Sequence, residues 1–103
     1  MSSIDFKSTK TDNNRVVKMI REILKKNPQN VGFSDHGKKE MQKDDLLITD
    51  IINVLASPTS RVSHQGEYKN GSYRYRYGTS KITVVVAFWP NGKGLNVVTA
   101  WRG

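Results

Sequence analysis

The chain has 103 residues, 36% hydrophobic and 25% charged, which is enough for one compact domain and too few for an enzyme of the dehydrogenase or kinase type. Cysteine is absent, so disulfides, thiolate metal sites and thiol nucleophiles are excluded together. Seventeen Lys and Arg against nine Asp and Glu give a formal charge of +8, and that charge is unevenly spread. Residues 60–103 hold seven cations (Arg61, Lys69, Arg74, Arg76, Lys81, Lys93 and Arg102) and one acid, Glu67; residues 1–59 hold ten and eight. A half nearly free of carboxylates attracts polyanions and speeds their encounter, so nucleic acid is the expected partner, although a basic face can also serve only to solubilise. The longest apolar run, 82–89, is strand-sized and interrupted by Thr83, which predicts a soluble domain. The N-terminus lacks the apolar core of a secretory signal, so the expected site of action is the cytoplasm, reached directly or by delivery within a larger protein.

Residues 1–12, rich in Ser, Thr, Lys and Asp, read as a flexible arm ahead of a single domain over 13–103. Val16, Val17, Ile20, Ile23 and Leu24 recur at helical spacing and predict a helix over 14–27, with Asp12 or Asn13 as cap and Pro28 as stop. Ser34 can cap a short helix over 35–42. A third helix is expected over 45–56, with Leu47, Ile48, Ile51, Ile52 and Leu55 inward and Ser57-Pro58 ending it. After Pro58 the period changes to two. Residues 61–65, 72–77, 81–89 and 95–102 predict four strands, separated by turns containing Gly71, Gly78, Gly92 and Gly94. Short connections make neighbours antiparallel. The expected fold is therefore α+β, with N-terminal helices packed on one face of a four-stranded antiparallel sheet. Gly92 and Gly94 form a hairpin tip with no helix after it, which excludes a phosphate-cradling P-loop.

Strand parity sorts the side chains of the second half. Tyr73, Tyr75 and Tyr77 share one face and Arg74 and Arg76 the other; Val97, Thr99 and Trp101 are expected to share a side of the last strand. Guanidinium groups pair with phosphate oxygens and rings stack on unpaired bases, so Arg76, Tyr73, Tyr75, Lys81, Trp101 and Arg102 are candidate RNA contacts. Ordinary half-burial in a sheet is an equal account of the tyrosines. Metal-independent RNA cleavage needs a base, an acid and cations around the phosphate, which assigns His36 and His64 to proton transfer and Arg74 or Arg76 to charge. Plainer accounts make His64 an exposed polar strand residue and His36 a hydrogen-bonding residue at a helix start. His36 and Glu40, four apart, are too few for a metal site, so none is expected. One acid in the sheet half argues against a glycosidase carboxylate pair, and no Gly-x-Ser-x-Gly elbow is present.

The run Phe33-Ser34-Asp35-His36-Gly37-Lys38-Lys39-Glu40-Met41, a helix ending Ile51-Ile52-Asn53-Val54-Leu55, Tyr73-Arg74-Tyr75, a Val-rich strand and the terminal Val97-Val98-Thr99-Ala100-Trp101-Arg102 together resemble a small bacterial domain group. That group is similar to the RelE and MqsR type toxins and to the toxin tips of contact-dependent inhibition proteins, which share the barnase/EndoU/colicin/RelE ribonuclease architecture. The resemblance covers about residues 33–103. It implies helices on a four-stranded antiparallel sheet and a metal- and cofactor-independent endoribonuclease that cleaves mRNA or tRNA by 2′-hydroxyl attack to a 2′,3′-cyclic phosphate. His36 would match the group's helix-start histidine, Arg74 its strand arginine and Thr99 its last-strand threonine. Glu40 stands where the group commonly has arginine, so that charge would have to come from Lys38, Lys39 or Arg76. An acidic antitoxin or immunity protein covering the Arg74/Arg76 face is the partner such an activity implies. A non-catalytic RNA- or DNA-binding module and an adaptor for an acidic protein are the rival readings.

Overall fold

The computed structural model describes residues 4–64 and 66–103. Helix α1 (Asn13–Lys26) starts where Asp12 accepts a hydrogen bond from Arg15 N at 3.1 Å, and it buries Val16, Ile20 and Ile23. Val17 and Leu24 pack at the edge of the same stripe. Pro28–Asn30 form a single 3-10 turn leading into a three-residue strand, β1 (Val31–Phe33). Ser34 then caps α2 (Asp35–Lys43), accepting from Gly37 N at 2.9 Å.

The third helix, α3, runs Ile48–Ala56 and begins later than the expected position 45. Asp45 takes a left-handed φ of 53°, while Asp45 N donates to Gln42 O and Leu46 N to Met41 O. This pair of bonds closes α2 as a Schellman motif, with Met41 and Leu46 buried together, and the chain cannot turn helical again until Leu47. Leu47 and Ile48, expected inward, are accordingly 66% and 52% exposed, because they sit at the helix entrance and not on its packed stripe. Ile51, Val54 and Leu55 are the residues that α3 buries.

The sheet corrects the expected strand count: among the described residues it has six strands, not four, and it is mixed. Its order is β1-β6-β5-β4-β2, with β2 (Arg61–Val62) and β3 (Glu67–Lys69) both pairing with β4 (Ser72–Gly78). Strand β5 (Ile82–Phe88) lies antiparallel between β4 and β6 (Leu95–Arg102). The added strand β1 runs parallel to β6, Val31 opposite Leu95 and Phe33 opposite Val97. Three residues with a central glycine are too short to show alternation. The expected strand over 61–65 ends at Val62 for the described residues; Gln65 lies outside them. Pairing on β4 resumes at Glu67 after a break in register. Asn70 (φ 51°) and Gly71 (φ 84°) supply the two left-handed residues of the tight β3–β4 hairpin.

One sheet face belongs to the core. Tyr75, Tyr77, Val84, Val86, Phe88, Leu95, Val97 and Ala100 form a single buried cluster with the stripes of α1 and α3. Each large apolar side chain removed from water there contributes roughly 1.5–3 kcal/mol. Helix α2 lies beside the half of β6 that β1 leaves unpaired. Ser34 N donates to Val97 O at 3.0 Å and Ser34 Oγ to Val98 O at 3.1 Å. At the other end Arg102 N donates to Asp44 Oδ2 at 2.9 Å. Gly37 permits this approach, since a Cβ there would stand 2.7 Å from Val97 O. Of the residues read as an arm, Met1, Ser2 and Ser3 lie outside the described residues, while 4–12 rest on the sheet. Phe6 N bonds to Pro90 O at 2.9 Å, Tyr73 N to Lys7 O at 2.8 Å, and Thr11 N to the buried Tyr75 hydroxyl at 2.9 Å. No helix among the described residues is long and apolar enough to cross a membrane.

Candidate nucleic-acid interface

Opposite the core face, side chains from β3, β4, β5 and β6 and from the β2–β3 connection line a cavity of about 150 Å³. His64, Glu67, Lys69, Arg74, Arg76, Val85, Thr99 and Trp101 are its walls, and no helix residue takes part. The pairing explains the grouping. Glu67 stands opposite Arg74, while Arg76, Val85 and Thr99 form one row across β4, β5 and β6. Residues in one row or two apart on a strand share a face, so the sheet delivers these side chains to one side.

Trp101 reaches this face because of a bulge. Val85 pairs with Thr99 but Val86 pairs with Val97, so Val98 is an extra residue in β6. Parity inverts across it: Val97 faces the core, whereas Thr99 and Trp101 face the cavity. This corrects the expectation that Val97, Thr99 and Trp101 share a side. The two Ser34 hydrogen bonds hold the Val97 and Val98 carbonyls at the bulge.

The cavity is strongly cationic. Lys69, Arg74 and Arg76 meet one carboxylate, Glu67, and the ion pairs among the described residues all lie on α1 and α2. Arg74 Nε is buried with no hydrogen-bond partner among the described residues, a donor left without an acceptor. The Arg76 guanidinium lies 5.7 Å from the Trp101 ring centroid, within cation–π range. His64 Nδ1 is 3.1 Å from Ser63 Oγ, and Ser63 N donates to Arg76 O at 2.9 Å. The imidazole thus meets Ser63 through its Nδ1 edge.

Five residues selected from the sequence therefore come together: His64, Arg74, Arg76, Thr99 and Trp101. Five others stand apart. His36 lies on the first turn of α2, its side chain 67% exposed and 3.8 Å from Glu40. Arg102 is turned toward the end of α2, with Nε on Asp44 O at 2.9 Å. Lys81 is exposed at the β4–β5 turn. Tyr75, expected to offer its ring to a base, is completely buried in the core and cannot do so. Tyr73 is half-buried on the same core side, edge-on to Tyr68 with ring centroids 5.1 Å apart. Glu67, Lys69 and Val85 were not selected. The signal for Glu67 was the Asn70-Gly71 pair, because a two-residue turn sets Lys69 opposite Ser72 and hence Glu67 opposite Arg74. Among the described residues no group of three or more His, Cys, Asp or Glu is placed to hold a metal ion.

Comparison of the chain with protein-family models, with curated proteins and with solved structures finds no match.

Proposed function

We propose that the protein is a toxin-type, metal-independent endoribonuclease whose reaction site is the cavity on the open sheet face. The observation that carries this reading is the convergence there of two proton-transfer groups, His64 and Glu67, with three cations that have no ion-pair partner among the described residues, Lys69, Arg74 and Arg76. Glu67 takes the proton of the substrate 2′-hydroxyl as the 2′-oxygen attacks phosphorus. The bond from phosphorus to the 5′-oxygen breaks, and His64 delivers a proton to that leaving oxygen. Products are a 2′,3′-cyclic phosphate and a 5′-hydroxyl. Arg74 and Arg76 hold the phosphate oxygens while negative charge concentrates on them, and Arg74 Nε gains the acceptor it lacks. Thr99 supplies a hydroxyl at the cavity wall, and Trp101 a ring on which an adjoining base stacks. The geometry favours His64 over His36 for proton transfer, since His36 does not line the cavity. Acting in the cytoplasm on mRNA or tRNA, such a cluster requires an acidic antitoxin or immunity protein that covers Arg74 and Arg76.

The test is incubation of the purified protein with total RNA and tRNA in EDTA, scoring fragments and cyclic phosphate ends. Wild type is expected to cut, His64→Ala and Glu67→Gln to cut roughly 10²–10⁴-fold more slowly, and His36→Ala to cut at nearly the wild-type rate. Undiminished cleavage by folded His64→Ala and Glu67→Gln proteins would remove the cavity from the mechanism. Salt-sensitive RNA binding with no cleavage by any variant would make the protein a non-catalytic RNA-binding module.

A further inference from the structure

Trp89 lies beyond the cavity on the same sheet face. Its indole Nε1 donates to Asn96 Oδ1 at 3.4 Å, and Asn96 pairs with Ala87 on the open side of β5 and β6. The ring lies over Gly94, where any side chain would collide with it, so the hairpin leaves a bare backbone floor under a half-buried indole. The hairpin also sets its backbone, with Trp89 N donating to Gly94 O at 2.9 Å. The other tryptophan, Trp101, is opposite Thr83 at the other end of β5. From Thr83 to Trp89 the strand rises about 20 Å. Between the two indoles the same face presents Arg76 and Arg74, next to Val85 and Ala87. The face is thus a lane with a ring near each end and, in the middle, cations that have no ion-pair partner among the described residues.

A single nucleic-acid strand has that pattern of needs: phosphates for guanidinium groups and π-faces for rings. About 20 Å spans some six nucleotides at the stacked rise of roughly 3.4 Å per nucleotide, and fewer when the strand is extended. We infer that Trp89 is a second base-stacking subsite, and that the substrate is an unpaired RNA segment of about four to six nucleotides running from Trp101 across Arg76 and Arg74 to Trp89. This rests on the ribonuclease reading above and adds to it the strandedness, the footprint and a contact remote from the bond that is cut. A duplex, whose bases are stacked on each other, cannot offer rings to both indoles.

The chain has two tryptophans, so each can be observed alone. Trp101→Phe reports Trp89 fluorescence and Trp89→Phe reports Trp101, titrated with 2′-O-methyl oligonucleotides that resist cleavage. A hexanucleotide is expected to quench both indoles and a dinucleotide only Trp101. An abasic hexamer, with the same charge and no rings, is expected to leave Trp89 unquenched. Trp89→Ala should weaken the hexanucleotide about tenfold or more while leaving the dinucleotide unchanged. Hexanucleotide binding that quenches Trp101 and not Trp89 would overturn the subsite and leave the ribonuclease reading standing. Equal quenching of Trp89 by the abasic hexamer would also overturn it, since charge alone would then explain the contact. Failure of every oligonucleotide to bind would overturn both.

Discussion

Glu67 and Arg74 face each other across β3 and β4, yet they make no ion pair, and Arg74 Nε lacks any partner among the described residues. A buried donor in that state costs roughly 1–3 kcal/mol, a cost a bound phosphate oxygen would remove. One residue away on the same strand the alternation sends Tyr75 and Tyr77 into the core. There the Tyr77 hydroxyl is a second buried group without a well-formed hydrogen bond among the described residues, although the Arg21 guanidinium lies close enough to interact with it. Burial pushes this phenol above its ordinary value of 10.0, with the nearby Arg21 charge pulling the other way. The folded state therefore favours the neutral phenol. Its contribution is fully present below the ordinary value and is lost as pH rises from there through the raised one. Tyr77→Phe is expected to leave stability at pH 7 unchanged or to raise it by up to about 1 kcal/mol, and to flatten the loss of stability above pH 10. Urea unfolding across that range checks both; the same alkaline loss in both proteins would show that Tyr77 is not its source.

Among the elements, the joint between α2 and β6 decides the site. Ser34 makes two bonds with one hydroxyl, accepting from Gly37 N to cap α2 and donating to Val98 O at the bulge that turns Thr99 and Trp101 toward the cavity. Ser34→Ala is expected to cost about 1–2 kcal/mol, seen as a lower urea midpoint at an unchanged slope. An unaltered midpoint would mean that water replaces both bonds. Part of this level was legible beforehand. Asp12, Ser34 and the apolar stripe of α1 place two helix starts, and Asn70-Gly71 marks a hairpin. The Asp45 terminus of α2 was not legible, because a left-handed aspartate between Asp44 and Leu46 carries no periodic signal, and so Leu47 and Ile48 read as buried.

For the whole molecule, the formal charge of +8, with Lys69, Arg74 and Arg76 set against one carboxylate at the cavity, sets the expected response to salt. Single-stranded RNA affinity should fall linearly on a log–log plot, and Arg74→Ala or Arg76→Ala should each reduce the slope by about 0.7. Lys26→Ala, which removes a cation already paired with Glu22 at 3.1 Å on α1, should leave the slope unchanged. Binding measured from low to physiological salt tests this. Equal slopes for all three variants would mean that the field is diffuse and that the cavity has no special share in it.

From the sequence alone came the α+β class, the three helices, the strands β4, β5 and β6, the separation of tyrosines from arginines, and the basic second half. All of these follow from local periodicity, capping residues and charge counts. Tertiary structure alone decided which of the candidate residues meet. The short strands β1 and β3 have too few residues to show a period, and the bulge at Val98 inverts parity by a single residue. Register across β3, β4, β5 and β6 is set by the whole packed sheet, and that register brings His64 and Glu67 to the arginines and leaves His36 on a separate helix.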